Sequence, residues 1–131
     1  MKFVKILALT AFAIVGSTAV ASAGDAANGE KVFKKCVACH SAEPGKNKVG
    51  PSLAGVFGEA CGHVEGYKFG AGYLAACEKG FSVDEAFLVD YLKDPSAKLS
   101  EIAGSKQRSK MTFKLNKDAE IADVIEYLKT L

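Results

Sequence analysis

The pentapeptide Cys36-Val37-Ala38-Cys39-His40 constrains this chain more than any other stretch. Cys-x-x-Cys-His is the attachment pattern of a c-type haem. On a helical face, two cysteines at this spacing present their sulfurs to the two vinyl groups of one porphyrin. The histidine beside them is then held under the ring, where an imidazole nitrogen reaches the iron. A chain built around such a site has to wrap a large flat apolar group. Cys-x-x-Cys also occurs in thioredoxin-like redox sites and in zinc knuckles. With Cys61 and Cys77 added, the four cysteines would make a structural zinc site.

The compartment bears on that choice. Lys2 and Lys5 precede an almost wholly apolar run from Ile6 to Val15, and Ala21-Ser22-Ala23 fits the small-x-small cleavage rule. Residues 1–23 therefore read as a secretory signal cut after Ala23, and residues 24–131 as the mature domain. The alternative is an uncleaved anchor, but the apolar run falls short of the ~20 residues that a span needs. The whole chain has 17 Lys and Arg against 15 Asp and Glu. Since the signal holds Lys2 and Lys5 and no acid, the mature part is balanced at 15 of each. The formal charge of +2 thus belongs to the signal and gives no reason to expect nucleic acid. The chain has two methionines, Met1 and Met111, and the first leaves with the signal. If the iron takes a thioether as its sixth ligand, Met111 has to supply it.

The 108 residues from Gly24 to Leu131 make one small domain. No repeat, low-complexity tract or second Cys-x-x-Cys-His is visible, so one haem is expected. A first helix is expected from about Ala26 to His40, capped by Asp25. Residues 41–72 are rich in glycine and proline and read as loops wrapped around something. A short helix follows from about Ala71 to Lys79, closed by Gly80. Ser82-Val83-Asp84-Glu85 reads as a capping box with Phe81 as its staple. The helix that this box opens carries Phe87, Leu88, Tyr91 and Leu92, and Asp94-Pro95 stops it. Residues 96–115 show weak periodicity. Ile121, Val124, Ile125 and Leu128 set a last helix at about Lys117 to Lys129. The fold class is all-α, with about four helices and long loops.

With these motifs at the two ends, the mature chain resembles a class I cytochrome c, and among those the bacterial cytochrome c2-type proteins. Gly29 and Phe33 resemble the family's N-terminal helix, which crosses a C-terminal helix resembled by residues 121–128, with Tyr127 at the crossing. Val49-Gly50-Pro51-Ser52-Leu53 resembles the segment whose proline carbonyl accepts a hydrogen bond from the haem-ligating histidine. Tyr91-Leu92-Lys93-Asp94-Pro95 resembles the helix whose tyrosine reaches the methionine sulfur. Residues 110–115 resemble the methionine ligand loop. The resemblance implies a soluble, periplasmic, monohaem electron carrier and no enzyme. Cys36 and Cys39 would hold the haem c, His40 and Met111 would ligate its iron, and Pro51 and Tyr91 would support those ligands. Implied partners are a donor such as a cytochrome bc1 complex and an acceptor such as a reaction centre, a terminal oxidase or a denitrification reductase. Glu59, Phe69, Val83 and Ser52 depart from the family pattern, so several usual propionate donors are missing.

Four features can be read without the family. A His/Met pair favours Fe(II), raises the potential and leaves substrates no open iron position. A displaceable Met111 would instead make an enzyme or gas sensor, and a zinc-structured interaction domain is a third reading. His63 is the remaining histidine, and it reads as a loop residue rather than a competing ligand. Cys61 and Cys77 are left as an even pair in an oxidising compartment, where a disulfide is expected. From Lys93 to Lys117 there are seven cations and two acids, a basic stretch suited to docking on an acidic partner.

Overall fold

A computed structural model describes residues 23–131, so residues 1–22 of the expected signal, which runs to Ala23, lie outside the described residues. Five helices appear in chain order: α1 Ala26–Phe33, α2 Ala71–Cys77, α3 Glu85–Lys93, α4 Pro95–Ala103 and α5 Asp118–Leu128. Among the described residues the extended pairing is limited to an isolated antiparallel bridge between Ala60 and Ser82, so the fold is all-α. No described helix is long and apolar enough to cross a membrane.

α1 and α5 form the frame. Asp25 caps α1 by accepting from the Asn28 amide at 2.9 Å, and the Asp25 amide donates to Asp123 Oδ1 at 2.7 Å. Where the helices cross, the buried Gly29 brings the two backbones together, and the Phe33 and Tyr127 ring centroids lie 5.1 Å apart. Val32 and Phe33 join Ile121, Val124, Ile125 and Leu128 in one buried cluster with Phe87, Leu88, Leu92 and Leu115. Cys36 and Met111 pack against this cluster from opposite ends of the chain.

Three expectations about elements need correcting. The first helix stops at Phe33, not His40. Beyond it the bonds tighten from four residues to three, with the Lys35 amide on Val32 at 2.9 Å and the Cys36 amide on Phe33 at 2.7 Å. The haem motif therefore sits on a run of tight turns. Ser82 is not a helix cap, because it is held in the bridge to Ala60. Asp84 is the cap instead, accepting from the Phe87 amide at 2.9 Å, while Phe81 stacks on Phe87 at 4.5 Å. Finally, Asp94-Pro95 ends one helix and starts another, which raises the count from about four to five. Proline suits a first helical position, where its missing N–H is no loss. Asp94 caps α4 through the Ala97 amide at 3.0 Å, and Gly104 ends it at φ 70°.

Candidate haem site

The Cys36–His40 turns are closed on themselves and then tied to the next loop. The Cys39 amide donates to Cys36 O at 3.0 Å and the His40 amide to the same oxygen at 2.9 Å. The Gly50 amide reaches Cys39 O, and the Leu53 amide Ser41 O, both at 2.8 Å. This brings Pro51 to His40, whose Nδ1 lies 2.8 Å from the Pro51 carbonyl oxygen. A carbonyl only accepts, so Nδ1 carries the proton and Nε2 keeps its lone pair. Burial, together with the charge of Lys48, holds the imidazole below its ordinary pKa, against the pull of the Pro51 bond. The ring is therefore neutral at pH 7, as a ligand needs to be.

Gly50 fits here for a steric reason. A Cβ on it would come within 2.4 Å of the His40 ring, so the loop lies flat against the imidazole only as glycine. Two more bonds fix the same loop, from Lys48 Nζ to Val37 O at 2.8 Å and from the Tyr67 hydroxyl to Val49 O at 2.9 Å. Burial also pushes the Cys36 thiol up to about 11.

The second half of the site is the segment before Leu115. The Met111 amide donates to Ser109 Oγ at 3.1 Å, and the Ser109 amide to Ser96 Oγ at 2.9 Å. The Gln107 amide donates to Ser100 Oγ at 2.8 Å. Tyr91 meets Ser109, with the two hydroxyl oxygens 3.3 Å apart, and burial pushes the phenol's pKa up. Ser96, Ser100 and Ser109 escaped the sequence reading, although serines four apart on one side of a helix are a visible signal.

His63 is exposed, with Nδ1 3.1 Å from Ala60 O. Cys61 and Cys77 are free thiols brought to one turn, with Cys77 Sγ beside Gly62, and the Cys77 thiol is pushed up to about 12, chiefly by burial. Among the described residues no three His, Cys, Asp or Glu side chains gather around one point, so the zinc reading has no site. The departures from the family pattern are occupied locally. Val83 is core, Phe69 stacks on Tyr73 at 4.8 Å, and Ser52 is buried with its hydroxyl donating to Glu43 O at 2.7 Å.

These residues fit a haem. Two thiols at vinyl spacing are followed by an imidazole with its outer nitrogen engaged, and a thioether packs on the same core. An all-α frame around such a site defines a c-type cytochrome. The cytochrome c family profile matches residues 26–76. Cytochrome c2 of Rhodospirillum rubrum is 50% identical over 128 residues, covering 96% of this chain and 93% of that one. Cytochrome c-550 of Novispirillum itersonii is 50% identical over 110 residues, covering 82% and 99%. The solved structure of cytochrome c2 from Rhodospirillum centenum superposes with a TM-score of 0.77 at 43% identity, covering 82% of this chain and 98% of that one. The chain belongs to the cytochrome c family, in its c2 type. It is an electron carrier rather than an enzyme, with one covalently attached haem c.

Proposed function

We infer that this is an exported, periplasmic carrier whose signal is cut after Ala23, leaving residues 24–131 as the cytochrome domain. Cys36 and Cys39 would hold the haem through thioethers, and His40 and Met111 would ligate its iron. The observation that carries the ligand assignment is the His40–Pro51 contact at 2.8 Å, which leaves only Nε2 free to bind a metal. Met111 is the partner because no other methionine exists beyond residue 1. The haem supplies reversible one-electron chemistry. His40 and Met111 would hold its iron and leave substrate no position there, with the Pro51 carbonyl orienting the imidazole and Ser109 holding the Met111 backbone. Tyr91 serves Met111 through Ser109. In the oxidising compartment Cys61 and Cys77 close a disulfide, whose loop of about 16 residues corresponds to about 3 kcal/mol in the chain-entropy account. The test is the absorption of the protein expressed with its signal. A low-spin reduced spectrum, a weak methionine-to-iron band in the oxidised form and no carbon monoxide binding are expected. High-spin bands would overturn the His/Met assignment.

The docking surface is narrower than the run of charges suggests. Lys93 pairs with Asp118 at 2.9 Å, Lys98 with Asp90 at 3.0 Å, Lys114 with Asp94 at 2.6 Å and Lys117 with Glu120 at 3.5 Å. Lys106, Arg108 and Lys110 form no ion pair among the described residues. Lys110 reaches across to the Lys68 carbonyl oxygen at 2.7 Å, which carries its charge to the loop before α2. Val37 and Phe113, each within three residues of an axial ligand, are exposed apolar side chains. An acidic face on a bc1-type donor, or on a reaction centre, oxidase or denitrification reductase, complements this surface. The rate of electron exchange with such a partner should fall steeply as ionic strength rises and the screening length drops from about 30 Å at 0.01 M to about 10 Å at 0.1 M. A flat salt dependence in stopped-flow kinetics would remove the electrostatic docking.

A further inference from the structure

We propose that the Cys61–Cys77 pair positions Met111: closed as a disulfide, it anchors α2, and α2 holds the segment that delivers the thioether. The inference rests on the ligation and disulfide readings above.

α2 is poorly equipped to stay in place alone. It has seven residues, no side-chain cap, and no charged residue of its own in its first or last turn. Helices this short are marginal without outside support. Its buried residues are Gly72 and Ala76, which bring little apolar area, and Leu74 is 48% exposed. Its one large inward side chain, Tyr73, packs edge-on to Phe81 and Tyr91; beyond that ring, α2 is fixed at its two ends.

At its C-terminal end, Cys77 is the last helical residue, and its Sγ lies against the turn that carries Cys61, 3.8 Å from where a Cβ on Gly62 would sit. Cys61 is in turn set by its amide, which donates to Phe81 O at 3.0 Å beside the Ala60–Ser82 bridge. At its N-terminal end, α2 touches the ligand segment backbone to backbone. A Cβ on Gly72 would lie 2.3 Å from the Arg108 carbonyl oxygen, and one on Gly70 would lie 2.9 Å from Lys110 Cγ. Lys110 Nζ then bonds Lys68 O at 2.7 Å and stands 5.6 Å above the Tyr67 ring. Arg108 to Lys110, the residues just before Met111, are thus gripped on one side by residues 67–72. On the other side Ser96 of α4 holds Ser109, and Ser100 holds the preceding Gln107. The serine grip is local in sequence. The α2 grip reaches across about 40 residues and depends on where α2 sits.

Closing the pair joins the two Sγ atoms, and two protons and two electrons pass to an exchanging disulfide, which becomes two thiols. The tie then limits how far α2, and with it Arg108–Lys110, moves from the core. An added ligand that competes with Met111 for the iron reads that freedom directly.

The experiment uses the ferric holoprotein and imidazole as the competing ligand. The disulfide form is compared with Cys61→Ser/Cys77→Ser, and with native protein that has been reduced and S-methylated in case the double variant folds poorly. Cutting the tie should strengthen imidazole binding about tenfold. It should also speed amide exchange at Arg108–Met111 about tenfold, with Gly50 and Leu53 on the His40 side unchanged within twofold. Imidazole affinity and exchange within twofold across all three forms would overturn the positioning role while leaving the disulfide in place. Two alkylatable thiols in the native protein would overturn the disulfide reading, and the proposal with it. An unchanged methionine-to-iron band in a Met111 variant would overturn the ligation reading instead.

Discussion

Met111→Ala should abolish the methionine-to-iron band, let the ferrous protein bind carbon monoxide, and lower the reduction potential by tenths of a volt. Axial ligands set haem potentials over a range of about 0.8 V, and a neutral thioether is the ligand that raises them in a His/Met site. No other side chain is placed to take over cleanly. His63 is exposed and engaged with Ala60 O, and Lys110 is turned to Lys68 O. The vacated position is therefore left to water or an added ligand. Met111 also packs against the core, so truncating it costs stability, at or below the low end of the ~2–5 kcal/mol seen for a buried methionine. Met111→Leu separates the two effects, because it keeps most of the volume while removing the sulfur. It should restore much of the stability and none of the potential. A potential and band unchanged in both variants would show that another group ligates the iron.

The covalent site was legible because its chemistry is local. Cys36, Cys39 and His40 lie within five residues, so spacing and the export signal together point to the cofactor, and the proposal of Met111 rests on counting methionines. The two crossing helices were legible too, since Ile121, Val124, Ile125 and Leu128 repeat at helical period and lie buried together. What escaped depends on choices that residues make only in three dimensions. Asp94-Pro95 is equally good grammar for ending a helix and for beginning one, and only the packing of Leu99, which is fully buried, decides for α4. Ser82 and Asp84 both offered a cap, and the bridge to Ala60 removed Ser82 from the choice. Ser96 and Ser100 repeat at helical spacing, but that they reach the segment before Met111, through Ser109 and Gln107, is set only by how that segment folds back on α4. Charge misled in the same way. Seven cations in one stretch suggested a broad basic face, but four of them meet carboxylates from α3, α4 or α5 or from the Asp94 cap they share.

Gly29→Ala should destabilise the protein by about 3 kcal/mol or more, although alanine is ordinarily better than glycine in mid-helix by about 1 kcal/mol. The sign reverses because of what the added methyl meets. It would lie 2.0 Å from the Asp123 carbonyl oxygen, 2.6 Å from its carbon and 2.8 Å from Tyr127 Cβ. Two of these are backbone atoms inside α5, so no side chain can rotate away. Relief requires α1 to lift off α5. That loosens the Phe33–Tyr127 contact and the burial of Val32 against Ile121 and Ile125 together. At about 4–8 °C per kcal/mol for a domain of this size, the melting temperature should fall by roughly 10–25 °C. Gly104→Ala is the comparison, because nothing lies within 4 Å of its Cβ and the cost comes only from φ 70°. It should lose about 1 kcal/mol, in keeping with a strained left-handed position. Thermal unfolding followed by circular dichroism ranks the two. If Gly29→Ala melted no lower than Gly104→Ala, the α1–α5 distance would be set by the surrounding side chains and not by the missing Cβ.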